Sequence, residues 1–293
     1  MIPLSIIIVS FNTKEIIKKC LLSIKANFAK YPINYEIIVV DNDSHDGTVE
    51  FLLDLEKKQK NLHIFLNKAN LGFGKANNIG LKKSKGKYIL YLNSDAIITD
   101  IDFRDLIRVM EMENNIGALT VKVVLSNGEI DPASHRGFPT LWNSLTYFSG
   151  LERLFFYVPL LNKIFGGYHL VNLNLNNIHQ VDVITGAFLL SKKEILDKIG
   201  GFDEDYFAYG EDIEMAFQIK KLGYKIIYYP LWKVLHLKSV SGLKKKGNEV
   251  VRKRTSAHFF DSMKIFYNKH YSQNHWWLIN KLVFLAIDYK KNQ

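Results

Sequence analysis

Cysteine is nearly absent from this chain of 293 residues, which contains a single one, Cys20. Disulfide bonds and cysteine-rich metal sites are therefore excluded, and a reducing cytosol is the natural compartment. Isoleucine and leucine surround Cys20 at helical spacing. We therefore expect this thiol on the buried face of a helix.

Long hydrophobic runs are also lacking. The apolar residues 1–10 form a short run without a basic leader or a small-residue cleavage site, which favours a first strand over a signal peptide. The longest late apolar stretch, residues 276–287, is too short to span a bilayer and is interrupted by Asn280 and Lys281. These patterns predict no transmembrane segment and a cytoplasmic protein, with peripheral binding to the inner face of the membrane as an open option.

Several motifs of catalysis and nucleotide binding are missing as well. The sequence has no Walker lysine motif, no HExxH and no GxSxG. Residues 72–77, GFGKAN, carry the first two glycines of a dinucleotide-binding GxGxxG, but Asn77 takes the place of the third. A dinucleotide-binding fold is therefore not expected.

Basic residues exceed acidic ones, 39 against 29, which gives a formal net charge of +10. Such a surface attracts phosphates, nucleic acid or acidic lipid headgroups. A basic cluster near the C-terminus precedes an amphipathic pattern and the pair Trp276 and Trp277. An interfacial membrane contact and an ordinary solvated charge run both fit this segment. The cluster consists of Lys244, Lys245, Lys246, Arg252, Lys253 and Arg254.

Residues 137–180 are dense in aromatic side chains and low in charge. Packing against the core is the favoured interpretation of this segment. A lid, or an apolar surface that meets lipid or a partner, is an open alternative.

The first hundred residues alternate between strand and helix patterns. Because the strands are short, rich in Ile, Val, Leu and Tyr and separated by helical spacing, we expect right-handed βαβ units, a mostly parallel sheet and the α/β class. Each strand ends in polar residues, and ligands bind at the carboxyl ends of strands in such sheets. The expected strands are residues 4–9, 35–40, 63–66 and 88–92, and the expected helices are 14–24 and 48–56.

A third helix pattern begins after Gly210 and places Glu211 and Asp212 in its first turn. Acidic residues at a helix start are often simple caps, because the helix dipole favours negative charge there. Here, however, an acidic and aromatic loop, residues 202–209, comes just before, and His236 follows one strand later. Acids, aromatics and a histidine on one loop face are typical of a site for a polar substrate.

Six stretches of the chain, within about residues 3–241, resemble in order and spacing the family 2 glycosyltransferases, especially the rhamnosyltransferase-like branch of bacterial surface-polysaccharide synthesis. They are SIIIVSFN, VVDNDSHDGT, NLGFGKANNIGL, YILYLNSDAII, VITGAFLLSKKEILDKIGGFDEDYFAYGEDIEMAFQIKKLGY and VLH. The resemblance implies a GT-A fold with a Rossmann-like, mostly parallel central sheet flanked by helices. It also implies a nucleotide-binding half at 1–100 and an acceptor half at 101–241, before a basic, aromatic helical segment at 242–293.

The same resemblance implies an inverting, metal-dependent transfer of a sugar from a nucleotide diphosphate to an acceptor hydroxyl. The branch favours dTDP-rhamnose over UDP-hexoses as the donor, and a lipid-linked saccharide as the acceptor. Asp41 matches the acid that hydrogen-bonds the N3–H of uracil or thymine, a donor that cytosine lacks. The other expected nucleotide-binding residues are Ser10 and Asn12 at the base and ribose, Asn77 and Asn78 in a loop that borders the nucleotide, and Asn93.

For the metal, Asp95 matches the carboxylate that binds Mg²⁺ or Mn²⁺ through the diphosphate, and His236 matches a further ligand, which tilts the choice slightly toward Mn²⁺. Asn93 departs from the two-aspartate form of the metal motif, so most of the negative charge around the metal must come from the diphosphate.

For the chemistry, Asp212 matches the general base that deprotonates the acceptor hydroxyl. Glu211, Asp205 and Gly186 are expected beside the donor or acceptor sugar.

Three other functions were weighed. A processive polysaccharide synthase would carry membrane helices and a QxxRW motif, and a sugar nucleotidyltransferase would need a glycine-rich, basic triphosphate loop near its first strand, where SFNTKE stands. A non-catalytic protein that binds nucleic acid fits the net charge. Acidic residues at the sheet edge would repel its phosphates, however, so no nucleic-acid partner is expected.

Overall fold

The computed structural model describes residues 2–238 and 249–292. Lys244, Lys245 and Lys246 of the basic cluster lie outside the described residues, as do the side chains of Arg252 and Arg254. The expected domain boundary at residue 241 also lies outside them, so it stays a prediction.

Nine strands and eleven α-helices are described. The strands are β1 Leu4–Ser10, β2 Tyr35–Asp41, β3 Leu62–Leu66, β4 Tyr88–Leu92, β5 Ala96–Asp100, β6 Ile116–Leu125, β7 His179–Val181, β8 Phe188–Lys192 and β9 Lys225–His236. The helices are α1 Lys14–Lys30, α2 Thr48–Lys58, α3 Phe73–Lys83, α4 Phe103–Met112, α5 Leu141–Phe148, α6 Leu151–Leu154, α7 Leu161–Phe165, α8 Lys193–Ile199, α9 Glu211–Lys221, α10 Glu249–His270 and α11 Trp277–Lys291.

All nine described strands form one sheet with the order β3-β2-β1-β4-β8-β6-β9-β5, and β7 pairs with β9. β1 to β4 are parallel, as expected, whereas β8 runs antiparallel to β4 and to β6, and β5 runs antiparallel to β9. The α/β class and a central sheet flanked by helices are confirmed. The sheet is mixed in its second half, where β6 runs parallel to β9 but antiparallel to β8.

Of the parallel strands, β1, β2 and β4 are almost wholly buried because helices cover both faces of the sheet, whereas β3 at the edge is only partly buried. Ile6 and Ile8 of β1 pack into one apolar core, and Ile7 between them packs into the other. This alternation follows from the two-residue period of a strand. Cys20 is buried on the inner face of α1, as its spacing predicts.

Residues 137–180 pack against the core only in part: Phe138, Leu170 and Leu175 contact it, as expected, but the short helices of this segment do not follow that prediction. The short helices α5, α6 and α7 pack chiefly on one another rather than on the sheet. Leu154 and Leu160 are exposed, and Tyr157 is 90% exposed. The expected core packing is therefore wrong for these side chains, because helices of one or two turns cannot bury a second face.

α10 and α11 form a helix pair, and α10 contacts α9 and the loop that precedes it. His270 of α10 lies 2.6 Å from the buried carboxylate of Glu214 in α9, and the Ser262 hydroxyl donates to the Ala208 carbonyl at 3.2 Å. α11 packs on α10. Within residues 2–238 and 249–292, no helix is both long and apolar enough to cross a membrane.

Candidate active site

A cleft of about 1520 Å³ runs along the carboxyl ends of the strands and on between α5 and the α10–α11 pair. Strand pairing and the turn before α9 bring distant residues to its walls. The sequence-predicted residues in these walls are Asn93, Asp95, Gly186, Glu211, Asp212 and His236.

One charged cluster of the cleft is centred on His236, at the end of β9. The pairing of β5 with β9 sets His236 opposite Ala96, directly beside Asp95. The His236 Nε2 atom lies 3.2 Å from Asp95 Oδ1, and its Nδ1 atom lies 3.0 Å from Asp131 Oδ2. Lys238 donates to the other oxygen of Asp131 at 2.8 Å. The imidazole therefore bridges two buried carboxylates.

The electrostatics of this cluster favour positive charge on the imidazole. Burial alone would lower the pKa of His236, but Asp131 and Asp95 raise it to about 9. Burial would likewise raise the pKa of Asp131, but hydrogen bonds from His236 and Lys238 hold it well below its usual range. Asp131 was not predicted from the sequence, because its role depends on a histidine 105 residues away.

A divalent cation bound to His236 would have to displace the Nε2 proton of the imidazole, and the oxygens beside it fit such an ion. Asp95 Oδ2 and Asn93 Oδ1 are buried and have no hydrogen-bond partner in the described part of the protein. Such unsatisfied oxygens are costly without a ligand, and carboxylate and amide oxygens suit Mg²⁺ or Mn²⁺. The described residues contain no group of three or more His, Cys, Asp or Glu that could hold a metal. Oxygens of a bound diphosphate would therefore have to complete the coordination.

A second charged cluster lies at the start of α9. The Arg136 guanidinium donates through Nη2 to Asp212 Oδ2 at 2.6 Å, and both side chains are largely buried. The Ile213 amide donates to the other Asp212 oxygen at 2.8 Å. Gly210 is the N-cap residue of α9. It has the left-handed conformation, with φ of 83°, and no side chain forms a capping hydrogen bond there. A simple capping role therefore does not account for Asp212, which lines the cleft.

Glu211 differs sharply from its neighbour Asp212. Its side chain is buried, and its Oε2 atom has no hydrogen-bond partner among the described residues. Burial, together with the charge of Asp212, raises the pKa of Glu211 to about 8. Burial therefore favours the protonated form of Glu211, which can donate a hydrogen bond, whereas Asp212 pairs with Arg136 and faces the cleft.

At the nucleotide end, Asp41 lies behind the cleft wall. It is fully buried and accepts hydrogen bonds from the Ser10 hydroxyl at 2.6 Å and from the Ser44 amide and hydroxyl. Asn12 is exposed in the adjoining loop, where its carbonyl accepts from the His45 amide. Contact of Asp41 with a base stays a prediction. To accept a hydrogen bond from the base N3–H, Asp41 would have to give up one of its hydrogen bonds from Ser10 or Ser44.

Asn42, which was not singled out, lines this end of the cleft together with Phe11, Thr13 and Asn70. Its amide donates to the Gly72 carbonyl at 3.1 Å and its carbonyl accepts from Asn67 at 2.8 Å. A polar residue directly after β2 was the available signal for Asn42.

Three predicted residues are placed differently. Asn77 and Asn78 are buried on helix α3 rather than in a loop. Asn78 ties this helix to the Phe202 backbone in both directions, at 2.8 Å each. Asp205 points away from the cleft and pairs with Lys269 of α10 at 2.6 Å. Of this loop, residues 207–209 line the cleft and Asp205 does not.

Solved structures share this architecture. A mannosyltransferase from Pyrobaculum calidifontis, in complex with GDP-Man and Mn²⁺, matches with a TM-score of 0.58 and 17% identity, over 92% of this chain and 65% of that one. TarS of S. aureus, residues 1–349, matches with a TM-score of 0.53 and 18% identity, over 92% and 74%. At these identities the likeness shows the fold, which is the GT-A type of glycosyltransferases.

Family models identify the chain more narrowly. The model described as Glycosyl transferase family 2 matches residues 5–165, and that described as Glycosyl transferase family group 2 matches residues 88–284. The chain belongs to glycosyltransferase family 2.

Curated relatives are distant. The rhamnosyltransferase WbbL of Escherichia coli K12 is 26% identical over 79% of this chain and 82% of that enzyme. A poly-β-1,6-N-acetyl-D-glucosamine synthase of Staphylococcus epidermidis is 24% identical over 78% of this chain. The chain spans only 48% of that synthase.

Proposed function

We propose that this protein is an inverting, metal-dependent glycosyltransferase that moves a sugar from a nucleotide diphosphate to a hydroxyl of a saccharide acceptor in surface-polysaccharide synthesis. One observation carries the proposal: a single cleft holds the Asp95–His236 pair with its unsatisfied oxygens and the Arg136–Asp212 pair at the start of α9. Those are the two parts that departure of a diphosphate and activation of a hydroxyl require.

Each residue has a definite task in this mechanism. Asp95 and His236 would hold a Mn²⁺ or Mg²⁺ ion, whose charge offsets that of the departing diphosphate. Arg136 holds the Asp212 carboxylate in place, and Asp212 takes the proton of the acceptor hydroxyl as that oxygen attacks the anomeric carbon. Protonated Glu211 donates a hydrogen bond to a sugar hydroxyl. Attack in line, without a covalent intermediate, inverts the anomeric centre.

The donor and acceptor follow from the family branch. dTDP-rhamnose is the first choice of donor and UDP-hexoses are the second, which the similarity to a rhamnosyltransferase over 79% of this chain supports. The acceptor is a lipid-linked saccharide, and the C-terminal segment binds the inner face of the membrane through its basic residues. Co-sedimentation with anionic and neutral vesicles tests this membrane contact, and equal recovery with both would reject it.

Nucleoside diphosphate release from a panel of nucleotide sugars, with and without EDTA, tests the activity. We expect release from dTDP-rhamnose or a UDP-hexose that depends on a divalent cation and increases when a saccharide acceptor is added. Release of pyrophosphate from a nucleoside triphosphate and a sugar phosphate would instead identify a sugar nucleotidyltransferase. No turnover of any nucleotide sugar would contradict the proposal.

A further inference from the structure

Beyond the two charged clusters, the cleft continues as an apolar arm. This arm lies between α5 on one side and α10 and α11 on the other, and its walls carry mainly aliphatic and aromatic side chains, together with the polar side chains of Ser144, Thr255 and His258. We define the apolar arm by Leu145, Phe148, Phe259, Met263, Leu282 and Val283. The polar end of the cleft, from Asn42 to Asp95, already accounts for a nucleotide and its diphosphate, so the apolar arm requires another occupant.

The apolar arm begins directly beside Glu211 and Asp212. A Cβ atom on Gly210, the residue before Glu211, would lie 3.1 Å from the Ser262 Cβ of α10. Met263, next along α10, belongs to the arm. The hydrogen bond from Ser262 to the Ala208 carbonyl and the contact of His270 with Glu214 fix α10 at this distance. A molecule that presents a hydroxyl to Asp212 can therefore extend straight into the arm.

The open end of the arm meets an apolar surface. Leu145 and Leu282 line the arm and are more than half exposed, and at the start of the helix that carries Leu282 the side chains of Trp276 and Trp277 are exposed as well. Large exposed apolar side chains grouped in this way are typical of contact with lipid or with a partner. Because these six side chains offer no hydrogen-bonding groups, they suit a hydrocarbon chain better than a peptide backbone, whose polar groups would go unpaired.

We infer that the apolar arm binds the hydrocarbon chain of a lipid-linked acceptor, so that the saccharide at the head of that lipid reaches Asp212. This inference rests on the proposed function and adds to it a defined lipid subsite. The continuity of one cleft from Asp95 to Leu282 supports the assignment, since acceptor head and tail must occupy adjoining spaces.

Binding of octyl and decyl glucoside, measured by calorimetry below their micelle concentrations and without donor, tests the subsite. The two probes carry the same sugar and differ by two methylenes. Since each buried methylene contributes about 0.8 kcal/mol, we expect decyl glucoside to bind roughly tenfold more tightly. Equal affinity of the wild-type protein for both probes would overturn the inference.

Two leucines of α11 provide a matched pair of variants. Leu282 lines the arm and is 59% exposed, whereas Leu285 is 55% exposed and is not among the residues that line it. Leu282→Glu should abolish the preference for the longer chain, and Leu285→Glu should keep it. The high exposure of both positions lets each variant fold, which circular dichroism checks. If both variants lose the preference for decyl glucoside equally, the subsite is rejected. It is also rejected if the wild-type protein self-associates and this association abolishes the preference.

Failure of this inference and failure of the proposed function give different results. Turnover of nucleotide sugar with a lipid-free saccharide acceptor, together with equal binding of both glucosides, rejects the subsite and keeps the glycosyltransferase. Chain-length dependence without any turnover of nucleotide sugar keeps the subsite and rejects the transferase. If the protein has both the lipid subsite and the transferase activity, Leu282→Glu should raise the KM for decyl glucoside as acceptor roughly tenfold. Leu285→Glu should leave this KM unchanged.

Discussion

The two charged clusters of the cleft use buried carboxylates in opposite ways. Around His236, Asp95 and Asn93 keep buried oxygens without a hydrogen-bond partner among the described residues. At the start of α9, both oxygens of Asp212 are taken, one by Arg136 and one by a backbone amide. Unsatisfied oxygens favour an added cation, whereas the hydrogen bonds from Arg136 and the Ile213 amide hold the Asp212 carboxylate in one orientation. The first cluster therefore fits the proposed metal site, and the second fits the proposed general base.

Replacing the proton acceptor should have the largest effect. Asp212→Asn keeps the shape of the side chain but removes its charge, so turnover should fall roughly 100-fold to 10,000-fold, the usual scale of general acid–base assistance. Binding of the nucleotide sugar, measured by calorimetry, should change little because the Asp95 cluster is intact. A variant that keeps more than about a tenth of wild-type turnover would remove Asp212 from this role.

The metal cluster should respond to a different pair of substitutions. Asp95→Ala should abolish the stimulation of nucleotide binding by Mn²⁺ or Mg²⁺, and His236→Ala should weaken it less, because diphosphate oxygens still coordinate the ion. Titration of each variant with MnCl₂ at fixed nucleotide concentration gives the comparison. Full activity of the EDTA-treated wild-type protein would contradict the metal assignment of both residues.

Replacing Asp131 should weaken metal binding at the His236 cluster and leave the Arg136–Asp212 pair unchanged. Asp131→Asn removes the negative charge beside His236 Nδ1 and should weaken Mn²⁺ binding roughly 10-fold to 100-fold, the usual effect of losing a carboxylate behind a metal-binding histidine. Electron paramagnetic resonance of free Mn²⁺ measures this affinity without turnover. Asp54→Asn, at an exposed aspartate paired with Lys58, removes the same charge elsewhere and serves as the control. Equal Mn²⁺ affinities of the two variants would argue that Asp131 has no part in metal binding.

Glu211 gives the smallest expected effect, and one that depends on pH. Its folded pKa of about 8 lies above the ordinary value of 4.5, so between these values the folded protein keeps a proton that the unfolded chain loses. The wild-type protein should therefore lose stability as the pH rises through this window. Glu211→Gln removes the titration, so it should gain stability over wild type as the pH rises, on the order of a few kcal/mol at most above pH 8.

Chemical unfolding below pH 4.5 and above pH 8 measures this difference. Glu15→Gln, at an exposed position of α1, should show no such change with pH and is the matched control. A constant difference between Glu211→Gln and wild type at both pH values would show that burial does not raise the Glu211 pKa.

Local patterns predicted the first half of the fold well. β1 to β4 begin and end within one residue of the expected bounds, and α9 begins directly after Gly210. These features depend on the two-residue and 3.6-residue periods of apolar side chains and on glycine at helix ends, which neighbouring residues alone determine. The family resemblance assigned Asp95, Asp212 and His236 to the site, and each of them lies where a strand or helix begins or ends, although their roles stay predictions.

What the sequence could not decide was which partner each of these residues meets. Arg136 reaches Asp212 across 76 residues, and Asp131 reaches His236 across 105. Asp205, which the acidic loop suggested for the site, pairs instead with Lys269 of α10. The amino-acid sequence by itself determined the α/β order of elements and the chemistry at the strand ends. Only the tertiary structure decided the ion pairs and the apolar arm, because both depend on the pairing of β9 and the docking of α10, which no local period specifies.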